Sequence, residues 1–206
     1  MSAAWALWLS LLALVVLLIA GPLVRFGVLS YRTGLLMLPL AAGIAAFAMI
    51  LSVVALARGR AFGRPILALL IGAAVAAVPA GGYLRARSVP PIHDISTDPT
   101  EQSQAQRPAY PDIQPLRLPV APNIAYERAK GAVEEMGWQL VREDPSAGRL
   151  EAVATTFWFG FRNDVVIRVS AAAGGSRVDV RSKSRVGVSD LGTNARRIRV
   201  YQQRLR

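Results

Sequence analysis

The stretch AAWALWLSLLALVVLLIAGPLV, residues 3–24, decides the fold, because it runs for 22 residues without a charge. A helix needs roughly 20 apolar residues to cross the hydrocarbon core of a bilayer. Two further charge-free runs follow, residues 33–57 and residues 65–84. Trp5 and Trp8 open the first run, Phe26 and Tyr31 sit in the loop after it, and Tyr83 closes the third. Aromatic rings at such positions suit the lipid interface. A cleaved signal peptide is the rival reading of the first run. It lacks a basic leading region, and 22 residues is long for the apolar part of such a peptide, so a retained span is expected.

The rest of the chain is different. All 13 acidic residues lie at or after Asp94, and residues 1–84 carry only Arg25, Arg32, Arg58, Arg60 and Arg64, all outside the apolar runs. The 206 residues fit one or two small domains. At 53% hydrophobic and 18% charged, the chain is too apolar for an ordinary soluble or disordered protein. The absence of cysteine excludes disulfide frameworks, zinc ribbons, thiol catalysis and lipid-modified cysteines, and one histidine excludes a multi-histidine metal site. No cofactor or metal is expected. No ionisable residue interrupts a span, whereas conduits usually need one. The membrane part therefore reads as an anchor or a docking surface. Residues 68, 72, 76 and 80 (Ala, Gly, Ala, Ala) form a small-residue stripe on which another helix can pack closely, although alanine is also simply abundant here.

Three spans place the N-terminus and second loop on one side, and the first loop and C-terminal half on the other. Arg58, Arg60 and Arg64 stand against Arg25, Arg32, Arg85 and Arg87, a margin too narrow for the positive-inside rule to decide.

Beyond the spans, seven prolines between residues 85 and 121 disfavour regular structure, and residues 85–114 read as an extended linker, either free or wrapped on the domain. Residues 115–206 read as a soluble domain. Short-range periodicity gives strands over 115–120, 138–142, 150–159, 164–170 and 177–186. Helices are expected over 123–136 and after a cap at Ser189 or Asp190. The helical faces are Ala125, Ala129, Ala132, Val133 and Met136, then Leu191, Ala195, Ile198, Tyr201 and Leu205. The expected fold is thus a three-helix transmembrane region followed by an α+β two-layer domain, an antiparallel sheet with two helices on one face.

Alternation in residues 177–186 puts Val178, Val180 and Val186 on one face and Arg177, Asp179, Arg181, Lys183 and Arg185 on the other. Residues 161–206 hold 11 basic and three acidic residues, so one end of the domain is expected to be strongly basic.

Candidate contact residues follow from chemistry. His93, with Asp94 and Asp98, can be a general base or a weak metal ligand, or a linker histidine bonded to the domain. Trp158 lies among Phe157, Phe159 and Phe161, one face core and the other free for a contact. Arg185, Asp190, Asn194 and Arg196 gather at the start of the last helix, where free N–H groups can hold an anion, or where Asp190 simply caps. Arg181 and its basic neighbours can meet anionic lipid, an acidic protein, or only water. Nucleic acid is disfavoured, since no binding motif is present.

Three stretches resemble a known family. They are residues 90–99 (PPIHDISTDP), residues 150–161 (LEAVATTFWFGF) running into Asp164-Val165-Val166, and residues 176–182 (SRVDVRS) with 184–187 (SRVG), 189–192 (SDLG) and 194–198 (NARRI). Together they resemble the uncharacterised domain-of-unknown-function family 1499, whose bacterial members have a similar three-span leader. The resemblance implies a bacterial membrane protein of unknown activity and supplies no catalytic residues; the inner membrane is the expected location. Related domains look exported or lipid-anchored, which implies a periplasmic C-terminal domain. The expected function is non-enzymatic binding of a protein partner or an anionic ligand at the membrane surface. The alternatives are an accessory subunit of a membrane complex, or an enzyme using His93 with Asp94 or Asp98 on an anionic substrate.

Overall fold

The computed structural model describes residues 3–59 and 62–206. Arg60, counted above in the second loop, lies outside the described residues. The chain divides into two compact units: residues 1–85 with the segment 157–160, and residues 86–156 with 161–206.

The first unit is built on α1 (Ala3–Arg25), α2 (Tyr31–Ala57) and α3 (Gly63–Ser88), of 23, 27 and 26 residues. All three are long and apolar enough to cross a membrane. Their seams are made of small side chains. Ala6, Ala13, Ala20, Ala41, Ala45, Ala48 and Ala68 are fully buried. The expected stripe on α3 is half a seam: Ala68 and Gly72 are buried, and Ala80 faces outward. Gly72 lies so close to α2 that an added Cβ would come within 2.7 Å of Met49 Cγ and 3.3 Å of the Ala45 carbonyl. Ser10 Oγ donates to the Ala68 carbonyl at 2.9 Å, a polar tie between α1 and α3. Ser30 caps α2, its hydroxyl accepting the Thr33 N–H.

The second unit contains six strands and three helices: β1 (Asp94–Ser96), α4 (Gln106–Ala109), β2 (Leu116–Leu118), α5 (Pro122–Glu135), β3 (Gln139–Asp144), β4 (Arg149–Thr155), β5 (Arg162–Ala172), β6 (Gly175–Ser184) and α6 (Thr193–Leu205). Every pairing is antiparallel, in the order β1-β6-β5-β4-β3. β2 pairs with β6 as well, Leu116 opposite Val178, while Ser96 of β1 stands opposite Arg181. β1 and β2 therefore share one edge of β6. Leu150, Ala152, Val165, Ile167, Val178 and Val180 from the sheet pack with Ala125, Ala129, Val133, Ala195, Ile198 and Tyr201 from α5 and α6. Tyr201 ties the two helices, its hydroxyl donating to the Ala129 carbonyl at 2.8 Å, and its ring stacks on Trp138. This is the expected two-layer α+β arrangement.

Two segments differ from the sequence reading. The proline-rich stretch read as a linker is built into the domain: Ile95, Tyr110 and Ile113 are core residues. Gln106 explains how. Its buried amide accepts the Ser96 N–H at 3.0 Å and donates to the Ser96 carbonyl at 2.6 Å, pairing the exposed edge of β1 with a side chain. The strand expected over 150–159 stops at Thr155. Thr156 and Phe161 then close a loop, with Thr156 N–H on the Phe161 carbonyl and the Phe161 N–H on Thr156 Oγ1, both at 2.9 Å. Phe157, Trp158 and Phe159 are loop residues, so strand alternation does not assign their faces.

Candidate functional site

Val178, Val180, Ser182 and Ser184 share the core face of β6, so its last two core positions are hydroxyls. α6 meets them with Asn194, which is fully buried. Asn194 Nδ2 donates to the His93 carbonyl at 2.8 Å and to Ser184 Oγ at 3.0 Å, and its Oδ1 accepts from Ser182 Oγ at 2.8 Å and from Arg197. Ser184 Oγ in turn donates to Asn163 Oδ1 at 2.7 Å. All polar atoms of the Asn194 amide are thereby used, as burial demands. Asp190 sets the entry to α6, accepting the N–H groups of Gly192 and Asn194 at 2.8 and 2.5 Å. Burial pushes the Arg197 guanidinium below its ordinary pKa against the opposing charge of Asp190. This cluster joins β5, β6, α6 and His93, the residue before β1, by polar bonds.

The other face of β6 carries charge. Arg181 holds Asp94 through two bonds, Nε to Oδ1 at 2.9 Å and Nη2 to Oδ2 at 2.6 Å. Lys183 lies 3.7 Å from the same carboxylate. Arg168 pairs with Glu101 at 2.7 Å, and Arg177 pairs with Asp179 at 2.7 Å and approaches Asp98 at 3.9 Å. Burial pushes the Asp94 carboxyl up, but the hydrogen bonds and charge of Arg181, with Lys183, outweigh it and hold the group below its ordinary value. The N–H and hydroxyl of Thr100 hold Asp98 low as well.

The expectation of a strongly basic end is corrected by this ladder. Of the 11 basic residues in 161–206, Arg168, Arg177, Arg181, Lys183, Arg185, Arg199 and Arg204 each lie within 4.0 Å of a carboxylate. Most of those acids come from residues 94–135. Counting charge along the sequence separated groups that antiparallel pairing brings together.

The expected contact residues are accordingly dispersed. His93 enters the polar cluster through its backbone carbonyl, which also accepts the Ser184 N–H at 2.9 Å. Asp94, Asp98 and Arg181 belong to the charged ladder. Arg185 pairs with Asp164 at 2.7 Å. Asp190 and Asn194 are together, and Arg196 points to solvent from α6. Trp158 belongs to the first unit, beside Gly21, where an added Cβ would overlap the indole. Among the described residues, no group of three or more His, Asp or Glu is placed to hold a metal ion.

Sequence reading missed a cavity of about 650 Å³ in the second unit. Asn123, Ile124 and Tyr126 from the start of α5 line it, opposite the turn at Ser146 and Ala147 and the end of β5 at Val169. α5 opens with Ala121 and Pro122, and no side chain caps it. The dipeptide was the available signal, since alanine offers no capping oxygen. The Tyr126 hydroxyl is buried without a partner.

Both the polar cluster and the ladder fall within a stretch that matches a family model. Residues 92–205 match the family described as Protein of unknown function (DUF1499). The chain belongs to the DUF1499 family. No curated protein matches it. Two of the stretches that carried the resemblance meet here: residues 90–99 supply β1 and two acids of the ladder, Asp94 and Asp98, and residues 176–198 supply both faces of β6 and Asn194.

Proposed function

We propose that the protein is a non-enzymatic bacterial inner-membrane protein whose C-terminal domain lies in the periplasm and binds a protein partner or an anionic ligand at the membrane surface. The cavity at the start of α5 carries this reading. Its volume suits a small ligand. The uncapped first turn of α5 offers the Asn123 and Ile124 N–H groups to an anionic end, with the Glu127 carboxylate in the same lining opposing it, and Ile124 and Val169 offer apolar surface to the remainder. The carboxylates that an acid–base mechanism around His93 would need are committed instead. Asp94 is bound to Arg181, and Asp98 to Thr100. Three membrane-capable helices provide the tether.

The test is a titration of the full chain in nanodiscs with short-chain phosphatidylglycerol, and with short-chain phosphatidylcholine as the neutral control. Saturable binding of the anionic lipid alone, lost in Ile124→Trp, is expected for an anionic ligand. Cross-linked partners recovered from intact cells through a photoreactive residue at Ile124 would support the protein-partner form. Absence of both would sink the proposal.

A further inference from the structure

Phe157 is the most exposed large apolar side chain among the described residues, at 91%. It belongs to the first unit with Trp158, Phe159 and Gly160. Its carbonyl accepts from Arg25 Nη1 at 2.5 Å, and Arg25 is the last residue of α1. Trp158 packs against the buried cluster that includes Leu17 and Ala41. It also lies on Gly21, four residues before Arg25 and so about 6 Å deeper along the helix axis.

These contacts fix a depth. The 23 residues of α1 span about 34 Å, against a hydrocarbon thickness of about 30 Å. The end of α1 thus lies within a few ångströms of the boundary between acyl chains and headgroups. We propose that Phe157–Gly160 is a lipid-contacting tip, with the Phe157 ring seated at that boundary in the leaflet where α1 ends. Phe26 and Val28, exposed by 78% and 67%, lie one and three residues past Arg25 and add to the apolar surface there. Arg25 and Arg32 supply cations at headgroup level, where basic side chains are attracted to anionic lipid. Lipid is the occupant because the segment packs on the end of a membrane-capable helix, α1, whose own outward side chains Leu12, Val15 and Leu18 are exposed and apolar. The inference requires that the three helices span a bilayer. It does not depend on the cavity or its ligand.

The chain has no cysteine, so single probes are simple to place. Phe157→Cys and, separately, Leu12→Cys in mid-span are labelled with an environment-sensitive nitrobenzoxadiazole dye, in the full chain in phospholipid nanodiscs. Spin-labelled lipids quenching at the headgroup or deep in the acyl region then report depth. The dye at residue 157 is expected to be blue-shifted relative to its free thiol adduct and quenched best by headgroup-proximal labels. At residue 12 the deep labels should quench best. Water-like emission at 157, quenched by aqueous iodide and not by lipid labels, would overturn the proposal while the spans stand. So would a blue-shifted dye insensitive to every lipid label, which would indicate cover by another copy of the chain. Failure of deep quenching at residue 12 would remove the spans and the proposal together.

Discussion

Arg181 grips Asp94 with two hydrogen bonds of 2.9 and 2.6 Å, joining β6 to the strand that the proline-rich stretch lays along its edge. Removing the carboxylate tests what that grip contributes. Both side chains are partly exposed, 36% and 27%, so solvent screening limits the effect. Asp94→Ala should cost about 1 kcal/mol, read as faster hydrogen exchange at the β6 amides. The effect has a sign in pH. Asp94 titrates below its ordinary value in the folded chain, so its contribution is complete above the unfolded carboxyl value, about 3.9. It is lost as pH falls through the lower folded value. The difference between the parent chain and Asp94→Ala should therefore be constant near neutrality and close below about pH 4. A gap that instead widened on acidification would contradict the depressed carboxyl.

Asn194 should be worth more than Asp94. Its amide bonds His93, Ser184, Ser182 and Arg197 at a fully buried position. Asn194→Ala leaves those partners without their bonds in the interior, at a cost of about 2–4 kcal/mol. Arg196→Ala, two positions on and exposed, should be neutral within about 0.5 kcal/mol. Melting of the second unit, followed by amide exchange across β6, separates the two. Equal effects would mean that the polar cluster is not what secures α6.

The contrast shows which parts of the molecule were legible beforehand. Apolar run length gave the three membrane-capable helices, and period-two and helical periodicities located β2 to β6, α5 and α6. Those signals are local. The place of Ile95 in the core was hidden because β1 is three residues long and its far edge is paired by Gln106 rather than by a strand. Asn194 and Asp190 were legible as residues at a helix entry, but their partners were not. Ser182 and Ser184 were visible as hydroxyls at core-facing positions of a strand, and that irregularity was the available signal. The charged ladder was misread for one reason. Net charge by segment ignores that the acids of 94–101 fold onto the arginines of 168–181.

The membrane unit makes its own prediction. At Gly72 a larger side chain meets both Met49, which can move, and the Ala45 carbonyl, which cannot. Gly72→Val should overpack the α2–α3 seam by about 1–3 kcal/mol, seen as a lower melting temperature in mild detergent. Gly43→Ala meets nothing within 4 Å and should leave the melting temperature unchanged or slightly raised. If both variants melt like the parent chain, the close approach at Gly72 does not contribute to the packing of these helices.

Sidedness decides between whole classes of partner, and the cysteine-free chain makes it measurable. The hairpin glycine at residue 174 is a poor probe site, because its φ of 77° would strain any side chain placed there. Gln104 is exposed, outside every strand and helix, and free of side-chain bonds among the described interactions. Gln104→Cys should react with a membrane-impermeant maleimide in intact spheroplasts as fully as after lysis. That result places the second unit in the periplasm, where nucleotides and nucleic acid are absent and envelope lipids and proteins are the available ligands. Reaction only after lysis would place it in the cytoplasm. The ligand at the α5 cavity would then have to be sought among soluble anionic metabolites and cytoplasmic proteins, and the periplasmic part of the proposed function would be withdrawn.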